Sequence, residues 1–233
     1  MTFDTQTSYR ASADERQKFV TRTYMWMGLA LIISALAAYY TATSQQMLNM
    51  LFANRAMGFK ILAIGEIALV FILSMTLRNI SVFGAGLMFI AYSVVNGITL
   101  SSIFLVFNIS SIAFCFGGTA LMFIAMSIYG KATKQDLSKA GYYLMMAVIG
   151  LVVVSLINWL LKSSTLDWLI SIATVVVFTG LTAYDTQKIL YTAQRANGSD
   201  AYKKIAIVAA LELYLDFINI FLSLLRLFGK KNN

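Results

Sequence analysis

Residues 205–228 read IAIVAALELYLDFINIFLSLLRLF, an apolar run long enough to cross the hydrocarbon core of a bilayer as a helix. Polar side chains recur in this run at spacings of four, three, four and three residues: Glu212, Asp216, Asn219, Ser223 and Arg226. These spacings place all of them on one helical face. A polar face in a membrane must meet other helices or water. The stretch therefore predicts a transmembrane helix that is central in a bundle, its polar face either serving a function or only hydrogen-bonding to neighbouring helices.

The rest of the chain has the composition of a membrane protein. Of its 233 residues, 59% are apolar and 12% are charged, whereas soluble domains contain about a quarter charged residues. We predict an all-α integral membrane protein, a seven-transmembrane-helix bundle with the last helix central. The predicted spans are roughly Tyr24–Thr43, Met57–Leu77, Val82–Phe107, Ile109–Tyr129, Tyr142–Leu161, Trp168–Leu190 and Ile205–Phe228.

The predicted domains follow from these spans. Residues 1–23 form a polar N-terminal tail, residues 24–229 form the transmembrane domain, and residues 230–233 form a short basic tail. With the N-terminus inside, 12 of the 18 Lys and Arg residues lie on the cytoplasmic side. This bias predicts a cytoplasmic N-terminus, although the basic C-terminal tail then lies outside.

Composition also excludes several function classes. The chain has no histidine and one cysteine, Cys115, inside an apolar run. The usual general base and the commonest metal ligand are therefore absent, and any proton chemistry belongs to carboxylates. The net charge of +8 is explained by the membrane topology rather than by nucleic-acid binding. We expect no enzyme activity and no cofactor.

Ionisable residues inside spans are costly and mark functional sites by default. Besides Glu212 and Asp216, the acidic residues inside the predicted spans are Glu66 in the second span and Asp185 in the sixth. Asp185 either meets the last helix or lies in the headgroup region at its own helix end. If it meets Asp216, the two carboxyls share a proton, because adjacent negative charges repel. Arg78, at the end of the second span, is either a carboxylate partner or an ordinary positive flank.

Small residues predict close helix packing at two places. Asn96 and Gly97 lie with serines at helical spacing in the third span, and Gly117 and Gly118 lie in the fourth. Small residues allow membrane helices to approach closely.

Two stretches resemble a known family. The sequence AALELYLDFINIFLSLLRLFG (Ala209 to Gly229), together with LTAYDTQKI (Leu181 to Ile189), resembles the transmembrane Bax inhibitor motif family, most closely its bacterial members. The polar N-terminal tail and the seven spans agree with that family over nearly the whole chain. The resemblance implies a multi-pass protein of the bacterial inner membrane.

The resemblance also implies a function. Family members are pH-sensitive calcium leaks in which an aspartate pair between the last two helices shares a proton and gates the pore. The matching residues are Asp185 and Asp216, which would also be the calcium ligands. Arg78 matches an arginine that latches onto the pair, and Glu66 matches a glutamate of the ion path. Glu212 and Asn219, on the same stripe, are further ion-path candidates.

One residue departs from the motif. Glu212 stands one turn before Asp216, where we expect a small or apolar residue. An extra carboxylate there would raise the affinity for cations, shift the shared pKa of the pair upward, or mark a branch with another role.

Two other functions compete with the leak channel. The first is a regulator that binds another membrane protein, such as an ATP-dependent membrane protease, through the N-terminal tail. The second is an intramembrane aspartic protease, because a pair of carboxyls that shares a proton activates water. Calcium ions, the lipid bilayer and a membrane protein partner are therefore the expected partners.

Overall fold

The computed structural model describes residues 11–76 and 80–232, and within them leaves out the side chains at 54, 55, 63, 67, 71 and 73–76. This part of the chain is helical almost throughout. Its helices are α1 (Ala13–Thr43), α2 (Gln45–Thr76), α3 (Val82–Leu100), α4 (Ser102–Val106), α5 (Ile109–Ala132), α6 (Ser138–Leu161), α7 (Ser164–Ala193) and α8 (Asp200–Phe228).

Side-chain caps fix where four of these helices begin. The side chains of Ser12, Ser81, Asn108 and Ser163 each accept a hydrogen bond from a backbone N–H of the first turn of α1, α3, α5 and α7. Such caps satisfy donors that have no partner within the helix. The cap at Ser12 explains why α1 begins at Ala13, well before the predicted first span at Tyr24. The charged residues before Tyr24 extend this helix instead of ending it.

Six segments in the described part of the chain are long and apolar enough to cross a bilayer: Ala13–Thr43, Val82–Val106, Ile109–Ala132, Ser138–Leu161, Ser164–Ala193 and Asp200–Phe228. The second of these joins α3 and α4, which are separated only by Ser101. The chain is therefore an all-helical integral membrane protein. The helix α2, which contains residues 57–76 of the predicted second span, is outside this set of six.

Burial differs strongly among the helices. In the most apolar stretch of α8, 67% of the residues are buried, whereas none are buried in that of α6. The helix α8 packs against α1, α3, α5 and α7, and α6 packs mainly against α7. Large apolar side chains of α6, such as Ile149, Leu156 and Trp159, are exposed. An outward face of this kind suits contact with lipid, because hydrocarbon solvates apolar groups.

The two ends of the bundle are distinguished by their contacts. At one end, the N-terminus of α1 meets the connection between α7 and α8: the Ala11 amide donates to the Gln194 carbonyl at 2.9 Å. We call this the α1-start end. At the other end, the Asn108 amide donates to the Lys230 carbonyl at 3.0 Å, so the C-terminal residues lie beside the start of α5.

Glycines allow close helix contacts, but only at some of the predicted places. A Cβ atom on Gly97 would lie 2.5 Å from the Ser34 carbonyl oxygen of α1, and one on Gly130 would collide with the Ala183 carbonyl oxygen of α7. The close packing predicted at Gly97 is therefore confirmed. The same prediction was wrong for Gly117 and Gly118, which have open space at the Cβ position. A glycine pair alone does not reveal whether it faces a helix or lipid.

A buried hydrogen-bond network joins α8 to α1 and α3. The Tyr214 hydroxyl donates to Asn96 Oδ1 at 2.7 Å and lies 2.7 Å from Ser34 Oγ, while Ser34 Oγ donates to the Ser93 carbonyl at 2.7 Å. The Tyr214 side chain is fully buried, and its ring packs edge-on against Phe89 and Tyr92. Asn96 therefore has a second role besides packing, because its side-chain amide links α3 to α8.

We predict that Gly97→Ala lowers the free energy of unfolding by about 1–3 kcal/mol, because the new methyl group collides with the α1 backbone. The matched control is Gly117→Ala, which has open space at the Cβ position and gains helix propensity. Thermal unfolding of both variants in detergent tests this. An equal melting temperature for the two variants would contradict the close contact between α1 and α3.

We predict that Tyr214→Phe lowers the free energy of unfolding by about 1 kcal/mol or more, because Asn96 Oδ1 loses its donor in a buried site. Tyr142→Phe serves as the control, since Tyr142 is 66% exposed on α6. Melting temperatures measured side by side in one detergent check this. If Tyr142→Phe loses stability and Tyr214→Phe does not, the structural role of the network is refuted.

Candidate functional site

Two carboxyl groups meet between α7 and α8. Asp185 and Asp216 are 8% and 3% exposed, and their side chains lie within hydrogen-bonding reach of each other. A carboxylate has no hydrogen to donate, so a bond between two carboxyls requires one of them to carry a proton. The structure therefore brings together the two aspartates whose contact the sequence left open.

The surroundings of Asp216 are nearly closed. Its Oδ2 atom is buried without a hydrogen-bond partner, and the Thr182 side chain, one turn before Asp185, lies beside it. The Thr182 hydroxyl donates to the Phe178 carbonyl of its own helix at 2.9 Å. An orphaned buried oxygen is costly. Asp216 therefore has unused capacity to bind a proton or a cation.

Glu212 and Lys188 cover the carboxyl pair from the α1-start end. Lys188 Nζ lies 2.8 Å from each carboxylate oxygen of Glu212 and 4.0 Å from Asp185 Oδ1. The side chains of Lys188 and Glu212 are 45% and 37% exposed, against 11% for Asp185. We name Asp185, Lys188, Glu212 and Asp216 the carboxyl cluster. It is buried at the aspartates and open at the ion pair.

Sequence reasoning missed the ion pair that Lys188 makes with Glu212. In the sequence analysis, Lys188 is only one of the 12 basic residues on the cytoplasmic side. The available signal was its position three residues after Asp185, because residues three apart share a helical face. Its partner Glu212 lies on another helix, and no spacing in the sequence links the two.

The loop between α5 and α6 is hydrogen-bonded to α7 near the carboxyl cluster in the sequence. Gln187 Oε1 accepts from the Leu137 amide at 2.8 Å, and Gln187 Nε2 donates to the Gln135 carbonyl at 2.8 Å. Gln187 is buried and immediately precedes Lys188. The connection between α5 and α6 is therefore held against α7, one residue before Lys188.

Glu66 belongs to a different polar group. Its Oε2 accepts from Asn96 Nδ2 at 3.3 Å, and its Oε1 is buried without a partner. Asn96 in turn accepts from Tyr214, so Glu66 is joined to α8 through α3. Tyr214 precedes Asp216 by two residues and lies on another face of α8. The helix α8 therefore contacts both polar groups, which are otherwise separate.

The other predicted site residues that the structure describes lie apart from the carboxyl cluster. Arg78 lies outside the described residues. Asn219 Nδ2 donates to the Leu215 carbonyl of its own helix at 2.8 Å. Ser223 Oγ is buried without a partner, and Arg226 is exposed. Of the polar stripe of α8, only Glu212 and Asp216 enter the cluster.

No group of three or more Asp, Glu, His or Cys side chains within residues 11–76 and 80–232 is arranged to hold a metal ion. In the carboxyl cluster, an ammonium group already lies beside Glu212 and Asp185. Calcium takes six to eight oxygen ligands, and Asp185 and Asp216 supply at most four between them. Calcium binding by Asp185 and Asp216 stays a prediction.

Comparisons with known proteins agree with this architecture. A family model described as "Inhibitor of apoptosis-promoting Bax1" matches residues 16–233. The chain is 44% identical over 217 residues to the inner membrane protein YbhL of Escherichia coli strain K12, with 92% of each chain covered. It is 43% identical over 219 residues to an uncharacterized protein of Borreliella burgdorferi, with 94% of each covered.

A third relative is an uncharacterized membrane protein of Streptococcus pyogenes serotype M1, 37% identical over 218 residues, with 92% of this chain and 93% of the relative covered. The matches span nearly the whole sequence, and the resemblance seen in the last two helices is confirmed. The chain belongs to the Bax inhibitor-1-like family of multi-pass membrane proteins.

Proposed function

We propose that this protein is a pH-sensitive leak channel for calcium or a similar cation, with Asp185 and Asp216 as its proton sensor. The observation that carries the proposal is the contact of two buried carboxyls between α7 and α8. When they share a proton, the pair has one negative charge and α7 and α8 stay joined. When the proton leaves, the two charges repel and attract a cation.

The proposal includes a membrane arrangement. We place α2 across the membrane, which brings the number of spans to seven. We also place α8 at the centre of the bundle and the N-terminus in the cytoplasm. The basic residues at the α1-start end, such as Arg16, Arg22 and Lys139, favour this orientation by the positive-inside rule. The carboxyl cluster then opens toward the cytoplasm of a bacterial cell, beneath the inner membrane.

The ion path in this proposal passes two polar groups. One is the carboxyl cluster, which lies toward the α1-start end. The other is formed by Glu66 and Asn96. Both contain a buried carboxylate oxygen without a hydrogen-bond partner, Asp216 Oδ2 and Glu66 Oε1. Unpartnered oxygens of this kind are suited to a passing cation, because it supplies the missing interaction. Arg78 keeps its proposed role as a latch on the aspartate pair.

We predict that calcium entry into proteoliposomes rises with pH for the wild type, and that Asp185→Asn and Asp216→Asn lose this dependence. Each substitution removes one carboxyl, so no proton is shared and no second charge appears at high pH. Calcium flux measured at several pH values with an enclosed indicator tests this. Asp167→Asn, at the far end of α7, is the control and keeps the wild-type profile.

Two results would contradict the leak proposal. One is the absence of wild-type calcium flux at every pH, which would turn the search to a protein partner bound through the N-terminal tail. The other is an unchanged pH profile in both aspartate variants, which would show that the carboxyl pair is not the proton sensor.

We predict that Asp136→Cys, in the loop between α5 and α6, is not labelled by an impermeant maleimide in intact bacterial cells and is labelled once the inner membrane is permeabilised. The reason is that this loop lies at the same end as the start of α1, which we place inside. The experiment uses a Cys115→Ser background and an impermeant maleimide, with a cysteine at position 163 as the opposite-side control. Labelling of position 136 from outside would reverse the proposed orientation.

A further inference from the structure

A groove opens to the side of the bundle between α1, α5 and α7. Its volume is about 320 Å³. Both α1 and α5 pack against α7, and the groove lies between them, toward the α1-start end. Ile124 and Ile128, at the α5 edge of the groove, are 55% and 61% exposed. Exposed apolar side chains in a membrane span face hydrocarbon, so lipid has direct access to this groove. We call it the lateral groove.

The walls of the lateral groove are mainly apolar. Val20 contributes from α1, Phe123 from α5, and Ile189 and Leu190 from α7. Phe123 and Ile189 are buried, whereas Val20 and Leu190 are half-buried. Apolar side chains that border a gap lose dispersion contacts unless another apolar group fills it. A gap that is open to the bilayer and bordered in this way suits a hydrocarbon chain.

Three hydroxyl groups form the polar part of the lateral groove. Thr186 Oγ1 donates to Ser127 Oγ at 3.3 Å, and the Tyr24 hydroxyl lies 3.1 Å from Thr186 Oγ1. Thr186 has one hydroxyl hydrogen and gives it to Ser127, so Tyr24 is the donor in the second contact. The Ser127 hydroxyl accepts this bond and keeps its own hydrogen. Ser127 is half-buried and therefore has a donor to offer to an acceptor that enters the groove.

Among the described residues that line the lateral groove, Lys131 is the charged one. It lies in the last turn of α5 and is exposed. Its ammonium group forms no ion pair within residues 11–76 and 80–232. An ammonium group at the membrane surface without a carboxylate partner attracts anionic lipid headgroups. The charge at this end of the groove is thus complementary to a phosphate.

The order of the groups along α5 matches the order of the groups in a phospholipid. Lys131, Ser127 and Ile124 follow one another at spacings of four and three residues, which places them on one face of the helix. Seven residues of helix correspond to about 10 Å. Over a comparable distance a phospholipid presents its phosphate, its ester carbonyls and the start of its acyl chains. The helix offers a charge, a hydroxyl donor and an apolar wall in the same order.

We propose that the lateral groove binds one anionic phospholipid. Its phosphate lies against Lys131, an ester carbonyl accepts a hydrogen bond from Ser127, and one acyl chain lies along Phe123 and Ile124. A zwitterionic lipid fits less well, because the positive group of its own headgroup offsets the phosphate charge that Lys131 binds. The site does not depend on calcium flux or on the aspartate pair, so it stands or falls separately from the leak proposal.

Native mass spectrometry of the full-length protein in detergent tests the headgroup contact, with phosphatidylglycerol or phosphatidylcholine added at rising concentration. We expect the wild type to bind phosphatidylglycerol more tightly. Lys131→Gln weakens this binding about fivefold, which is the contribution of one lysine near an anionic headgroup, and leaves phosphatidylcholine binding unchanged. Lys131→Arg keeps the charge and retains the preference. The matched control is Lys139→Gln, because Lys139 lies at the start of α6, at the same end of the bundle, outside the groove lining.

Two further substitutions test the groove itself. Val20→Trp fills the space between α1 and α7 and leaves Lys131 in place, so phosphatidylglycerol binding falls by about tenfold or more, because several methylene groups lose their site. Leu190→Trp repeats this from α7 should the first variant fail to fold. Ser127→Ala removes the donor to the ester carbonyl and weakens binding roughly fivefold.

Three results would overturn the proposal. Equal wild-type affinity for the two lipids would remove the anionic preference. Equal losses in Lys131→Gln and Lys139→Gln would show that the general positive charge of this end binds the lipid. Wild-type affinity in a tryptophan variant whose thermal unfolding shows that it is folded would place the lipid elsewhere on the surface. Because Lys131 is exposed, its variants keep the fold, and the headgroup comparison remains decisive even if both tryptophan variants unfold.

Discussion

Hydrocarbon cannot accept or donate a hydrogen bond, and this constraint explains where the polar side chains of the protein lie. Tyr214 and Asp216 of α8 face neighbouring helices rather than lipid. Tyr214 finds Asn96 and Ser34 on one side, and Asp216 finds Asp185 on the other. In the described part of the chain, α8 therefore has two polar faces, and its own position depends on both.

The two polar faces differ in how completely they are satisfied. The network around Tyr214 is buried, and its hydroxyl groups all have partners. By contrast, the carboxyl cluster retains a buried carboxylate oxygen without a partner, Asp216 Oδ2. A satisfied network rigidifies a core, whereas an unsatisfied buried oxygen is retained at a cost in stability. The first group is suited to hold the bundle together, and the second is suited to bind a proton or an ion.

Much of this could be predicted from the sequence, because membrane spans are defined by long apolar runs. The polar stripe of α8 showed that this helix is buried, and the composition showed the membrane class. The start of α1 could not be predicted, because a serine cap and buried Phe19 extend a helix into a charged segment. Gly117 and Gly118 could not be placed either, because the outcome depends on which face of α5 meets a neighbour.

For the site, the sequence supplied the aspartates but not their full environment. Asp185 and Asp216 were identified from their cost in a membrane and from the family motif. The bond between Lys188 and Glu212 joins residues 24 apart on two helices, and only the packing of α7 on α8 determines it. Asn96 looked like a packing residue because its neighbours are small, and its partner Tyr214 lies 118 residues away.

The placement of α8 also has a consequence for biosynthesis. This helix emerges from the ribosome after the seven others, yet it supplies partners for residues of α1, α3, α5 and α7. Until α8 inserts, Ser34 and Asn96 lack the tyrosine hydroxyl, and Asp185 has no second carboxyl. A nascent chain halted before α8 thus exposes polar groups within the bilayer.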